Sequence, residues 1–153
     1  RHAEETGWLG LQAIAHTQLI VFGLKQLSNR ERPFQNGSGV GFWQGGDSFP
    51  SGHSATSFAV ATVFAYEYWN HNVVPVAAYS LAGLVAASRV GARRHWISDV
   101  FVGGSAGFLI GRYVYRRHHD PDLPGISAKR GRSARLIPEI GFGFNGPVLS
   151  WPF

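Results

Sequence analysis

The chain of 153 residues contains no cysteine and no methionine. Without cysteine there is no disulfide staple and no thiolate-bound metal, although the absence suits the cytosol and the periplasm alike. Without an initiator methionine the sequence reads as a processed chain or a piece of a longer one. There is no HExxH pattern, and no pair of carboxylates stands at metal-ligand spacing. Acidic residues are scarce, nine against 14 Lys and Arg, for a net charge of +5 and a pI near 10.1. That imbalance favours anionic partners: phosphates, acidic lipid head groups or nucleic acid. The length suits one domain with an adequate core.

What is present is a series of apolar segments at helical spacing. Arg1 to Thr6 is polar and reads as a linker or the end of a preceding loop. From Gly7 to Leu27, the residues Trp8, Leu9, Leu11, Ile14, Leu19, Ile20, Phe22 and Leu24 predict a packed helix, with His16 as an interhelical hydrogen-bonding residue. Ser28 to Phe49 is rich in Gly, Asn, Ser and Arg, without periodicity, and predicts a long loop at a functional face. Its Phe42, Trp43 and Phe49 either line an entrance or pin the loop down. A second helix is predicted over His53 to Trp69 and a third over Val76 to Arg89, started by Pro75. The short turn Asn70-His71-Asn72 makes these two antiparallel neighbours. A fourth runs from His95 to about Tyr115. Its Gly103, Gly104, Gly107 and Gly111 are costly in an isolated helix and favour close helix packing. The expected fold is an all-α bundle of four main helices over residues 1–117, followed by a tail over 118–153 that is irregular or hairpin-like.

Three stretches carry chemistry. Lys25 and Arg32-Pro33 flank the end of the first helix, where basic residues also serve simply to complement the helix dipole. Phe49-Pro50-Ser51-Gly52-His53 precedes the second helix. Proline and small residues at a helix start leave unpaired amides at its positive end, a ready oxyanion site, and Gly52 lets the backbone approach an anion closely. Ser88-Arg89-Val-Gly-Ala-Arg-Arg-His95-Trp-Ile-Ser-Asp99 ends in an i, i+4 pair. On one helix face the Asp99 carboxylate accepts from one imidazole nitrogen of His95 and leaves the other as base or nucleophile. Alone, that pair equally describes a surface hydrogen bond.

In order, spacing and residue type, these three stretches together resemble the three-part signature of the type 2 phosphatidic acid phosphatase superfamily, which includes bacterial nonspecific acid phosphatases and vanadium haloperoxidases. The resemblance covers about Gly7 to Arg117. It implies that His95 attacks phosphorus to form a phosphohistidine, that Asp99 orients it, and that His53 protonates the leaving alkoxide and then activates water. Lys25, Arg32 and Arg89, with the amides of Ser51 and Gly52 and the Ser51 hydroxyl, would hold the phosphoryl oxygens. This scheme requires no metal and no cofactor; vanadate would bind as a phosphate analogue.

The expected function is therefore hydrolysis of phosphate monoesters, foremost a lipid phosphate or diphosphate. The alternatives are a periplasmic acid phosphatase acting on small soluble esters and, behind it, a vanadium-dependent haloperoxidase. A nucleic-acid-binding module is disfavoured because the key cations punctuate apolar helices instead of lining one exposed face. Mean hydropathy of −0.05 and Glu67 and Asp99 within the segments put them near the lower limit for spanning a membrane. Membrane relatives with the same helix order favour membrane association, a site facing the periplasm or exterior, and further helices preceding Arg1. Arg116 to Asp120 and Lys129 to Arg135 read as a solvated tail or as a polybasic segment on anionic lipid. His118-His119 beside Asp120 hints at a metal but lacks further ligands at fitting spacing. No role follows from the sequence for Pro138 to Phe153.

Overall fold

The computed structural model describes residues 1–34, 41–120 and 123, and the backbone of 139–143 and 146–150. Four helices carry the fold: α1 (His2–Ser28), α2 (Gly52–Glu67), α3 (Val73–Gly91) and α4 (Ile97–His118). Helix α1 begins five residues before the expected Gly7. Glu4 and Glu5 lie in its first turn, where carboxylates complement the positive helix end. Thr6 is buried there, so the polar opening is part of the bundle and not a linker. His16 is exposed and bonds the carbonyl of Gln12 at 2.7 Å within its own helix, contrary to the interhelical role expected of it.

Helix α4 packs along α2 in parallel, and its glycines are the reason it can. A Cβ on Gly103 would lie 2.5 Å from the Ser51 carbonyl oxygen, and on Gly107 and Gly111 it would overlap the carbonyls of Ala55 and Ala59. The four-residue spacing puts all three glycines on one face, directly against the α2 backbone. Gln18 bonds Thr56 at 3.2 Å while Thr6 bonds Tyr68 at 3.4 Å, so α1 runs antiparallel to α2. Leu9, Ala13, Ala59, Val63, Ile110, Val114 and Tyr115 form the core shared by α1, α2 and α4, with Tyr66 edge-on to Tyr115 at 5.3 Å.

Helix α3 packs on the outside, mainly against α2, and buries only Ala82 and Ala86. Val73, Val76, Leu81 and Leu84 are exposed. Helices α1 and α3 are long and apolar enough to cross a membrane. At the chain end, β1 (Glu139–Gly143) and β2 (Gly146–Ser150) pair antiparallel with Gly141 opposite Val148, the hairpin anticipated for the tail. The basic run Lys129 to Arg135 lies outside the described residues. Helix α4 continues through His118, and His119 remains tied to Glu67 of α2, past the expected boundary at residue 117.

Because α1 and α3 run against α2 and α4, the C-terminal ends of the first pair and the N-terminal ends of the second share one face. Lys25, His53, Arg89 and Asp99 are all delivered there.

Candidate active site

The loop after α1 folds back on itself. Amides of Trp43, Gln44, Gly46 and Ser48 donate to the carbonyls of Ser28, Asn29, Asn29 and Arg30 at 2.8–3.1 Å. Gly46 is required in this ladder because any Cβ there would overlap the Arg30 carbonyl. Phe42 stands edge-on to Phe49 at 5.3 Å, which pins the loop, while Trp43 is exposed.

The ladder sets Ser48 over the start of α4. Asp99, fully buried, accepts from Ser48 Oγ at 2.5 Å, from Arg30 Nη1 at 2.5 Å and from the Trp96 amide at 2.9 Å. Burial opposes its ionisation, yet the donors and charge of His95, Ser48, Trp96 and Arg30 hold the carboxyl below the usual carboxylate range. Arg30 also bonds Ser98 at 2.8 Å, and its guanidinium lies 5.1 Å from the Phe42 ring and 5.5 Å from the Trp96 ring.

His95 sits ahead of α4, whose N-cap is Trp96. The expected His95–Asp99 stacking on one helical turn therefore does not form. His95 Nδ1 is 2.7 Å from the Ser48 carbonyl oxygen and 3.8 Å from Asp99 Oδ2. A carbonyl only accepts, so Nδ1 carries a proton, and in the neutral imidazole Nε2 carries the lone pair. Asp99 faces His95 directly at 3.8 Å and is also linked to it through Ser48, a residue the motif pattern did not single out because its contribution is a backbone carbonyl.

His53 stands in the first turn of α2. Burial, and then the positive charges of Arg89, His95, Lys25 and Arg32, hold its pKa below the ordinary histidine value. That influence places four other sequence-predicted residues within electrostatic reach of His53. Ser51 differs from expectation: its amide donates to the Asp99 carbonyl at 3.0 Å and its hydroxyl accepts from Ser54 at 3.1 Å. It is fully buried and joins α2 to α4. The Gly52 and His53 amides remain at the helix start, where no intrahelical acceptor exists.

Asp47 was not foreseen. Its carboxylate takes Arg32 in a two-point contact, Nε to Oδ1 at 2.8 Å and Nη2 to Oδ2 at 2.7 Å, and Lys25 Nζ donates to its backbone carbonyl. The bond from Arg32, aided by the Lys25 charge, holds its carboxyl below the usual range despite partial burial. An arginine fork engaged by two carboxylate oxygens has the geometry it would offer two phosphate oxygens.

With this arrangement in place, comparison with known proteins gives a direct answer. The PAP2 superfamily model matches residues 6–122. The chain belongs to this superfamily. Among PAP2-related proteins, a lipid A 1-phosphatase of Porphyromonas gingivalis is 44% identical over 70 residues, covering 45% of this chain and 16% of the relative. A probable diacylglycerol pyrophosphate phosphatase 1 of Schizosaccharomyces pombe is 34% identical over 101 residues, 54% of this chain and 36% of the relative. A PA-phosphatase related-family protein of Dictyostelium discoideum is 31% identical over 126 residues, 70% of this chain and 46% of the relative. The chain thus spans less than half the length of each. No solved structure matches it.

Proposed function

We propose that this PAP2 protein hydrolyses phosphate monoesters through a phosphohistidine on His95 and that its substrate is a lipid phosphate or diphosphate. The observation that carries the chemistry is the His95 tautomer: with Nδ1 held on the Ser48 carbonyl, Nε2 is the nucleophilic atom. Nε2 attacks phosphorus as the ester P–O bond breaks. His53 gives its proton to the departing alkoxide, then takes one from the water that attacks the phosphohistidine. The P–N bond breaks, inorganic phosphate leaves, and His95 is restored. Charge accumulating on the equatorial oxygens is met by Lys25, Arg32, Arg89 and the Gly52 amide, which supply fixed positive charge where a phosphoryl group is transferred. No step calls for a metal or another cofactor, and vanadate would occupy the same pocket as an inhibitor.

Support for a lipid comes from the flank of the site. An open, largely apolar groove of about 810 Å³ runs from Gly52 and His53 between α2 and α3, past Val60, Phe64, Leu81 and Val85. A chain attached to a phosphate beside His53 would lie along it. The relatives named for lipid A and diacylglycerol pyrophosphate agree with that substrate class. Helices α1 and α3 support membrane association, with the motif face directed to the periplasm or exterior.

The test is phosphate release in EDTA from detergent-dispersed phosphatidic acid and from p-nitrophenyl phosphate, with His95→Ala as blank. Preferred lipid turnover is expected. Equal or better turnover of the small ester would replace the lipid assignment by a soluble-ester phosphatase, and near wild-type rate in His95→Ala would refute the mechanism. The cysteine-free background makes orientation testable: a cysteine replacing exposed Trp43 should react with impermeant maleimide from outside intact cells, and one replacing Arg116 should not.

A further inference from the structure

At the end of the bundle away from His95, four ionisable side chains converge that the phosphatase chemistry does not use. Glu67, at the last turn of α2, is fully buried and accepts from both sides. Its Oε1 lies 2.9 Å from His119 Nδ1 and its Oε2 lies 2.6 Å from His2 Nε2. Glu5 Oε1 approaches the same His119 Nδ1 at 3.3 Å and accepts from the Asp120 amide at 2.5 Å. The ligand atoms of Glu5, Glu67 and His119 all lie within 4.8 Å of one another. The His119 side chain is only 3% exposed and stacks on Tyr115 with ring centroids 4.5 Å apart.

We propose that Glu5, Glu67 and His119 form a structural site for a divalent cation of the zinc class, joining the ends of α1, α2 and α4. Two observations favour a cation over a network of hydrogen bonds alone. The first is charge and valence. His119 Nδ1 has one proton at most, yet two carboxylate oxygens converge on it, one of them from fully buried Glu67, so one of the two carboxylates gains no hydrogen from it. A cation in the space between Nδ1 and the two oxygens compensates both, with the imidazole acting as a neutral ligand. The second is incomplete satisfaction: Glu5 Oε2 is buried with no hydrogen-bond partner. It belongs to the carboxylate whose Oε1 faces the site, so a cation bound there would offset its charge as well.

The spacing suits the ion. Tetrahedral zinc with bonds of about 2.0–2.1 Å places its ligand atoms about 3.3 Å apart, close to the 2.9 and 3.3 Å separations that His119 Nδ1 makes with the two glutamates. Imidazole with carboxylates is a donor set for zinc and its neighbours, and the imidazole nitrogen disfavours magnesium and calcium, which take oxygen ligands. His2, bonded to the outer oxygen of Glu67, would orient that ligand from behind. Sequence spacing hid the set because its members, Glu5, Glu67 and His119, lie far apart along the chain.

The experiment uses the whole chain in detergent, stripped with EDTA and desalted. Zn²⁺ is then added, excess is removed, and bound metal and melting temperature are measured. About one retained zinc per chain and a raised melting temperature are expected, with retention falling at least tenfold in Glu5→Gln and His119→Gln, whereas exposed His118→Gln behaves as wild type. Co²⁺ in the wild-type chain should give the intense visible absorption of a tetrahedral site, a readout that needs no variant. No retained zinc and no tetrahedral Co²⁺ spectrum, or equal retention in wild type and Glu5→Gln, would overturn the proposal and leave a proton-held clasp. Phosphate release measured well below the melting temperature should be the same with zinc or EDTA. Chelator-sensitive hydrolysis there would overturn the purely structural role assigned to the ion.

Discussion

Replacing Gly107 by Ala tests the packing that builds the site. A methyl group there would overlap the Ala55 carbonyl, which is backbone inside α2 and cannot rotate away. Overpacking of this kind costs roughly 1–3 kcal/mol, with the upper part of that range expected against backbone. Alanine returns about 1 kcal/mol through helix propensity, leaving a net loss on the order of 2 kcal/mol. The control is Gly83→Ala in α3, where an added Cβ meets nothing within 4 Å; it should be neutral or stabilising by up to about 1 kcal/mol. Thermal unfolding of the two variants in one detergent, followed by intrinsic fluorescence, measures the difference. Gly107→Ala should also lose phosphate release below its melting temperature, because moving α4 off α2 disturbs the Ser51 amide bond to the Asp99 carbonyl, 3.0 Å long. Equal stability of the two variants would refute the claim that the glycine face sets the α2–α4 separation.

Other expectations concern the site directly. Asp47→Asn removes a carboxylate that competes with substrate for Arg32, so KM for a phosphate ester should fall severalfold with kcat little changed; a raised KM would show that Asp47 assists binding instead. In the proposed mechanism His53 must be protonated to serve the leaving group, and its pKa lies below the ordinary 6.5. The alkaline fall of kcat/KM should therefore begin on the acid side of that value. Arg89→Gln removes one of the charges that lower this pKa, so the limb should move to higher pH while the rate drops; an unmoved limb would detach it from His53. Asp99→Asn and Ser48→Ala both release the serine that presents its carbonyl to His95, and each should lower kcat by more than it changes KM. Full activity in Ser48→Ala would mean that Asp99 does not act through that hydroxyl.

Much of this was legible before any coordinates. Four helices and the positions of Lys25, Arg32, His53, Arg89, His95 and Asp99 follow from apolar periodicity, helix-start signals and motif spacing. Boundaries were less so. The polar opening Arg1 to Thr6 is helical because Thr6 is buried and its Glu5 and His2 meet partners far along the chain, which local composition cannot register. The i, i+4 reasoning for His95 and Asp99 assumed both were helical. The helix begins after Trp96, whose amide Asp99 caps, and this moves the imidazole onto the Ser48 carbonyl. Arg30 and Ser48 carry no signature of their own: one acts as a buried counter-ion, the other through its backbone.

The amino-acid order by itself determined helix number, the superfamily and the candidate residues for phosphate, because periodicity and motif spacing are local properties of the chain. Only the tertiary structure decided which nitrogen of His95 is available, that Asp47 occupies the Arg32 fork, and that Glu5, Glu67 and His119 share one pocket. Each of these depends on contacts between residues apart in sequence, which the fold of the loop after α1 and the packing of the helices bring together.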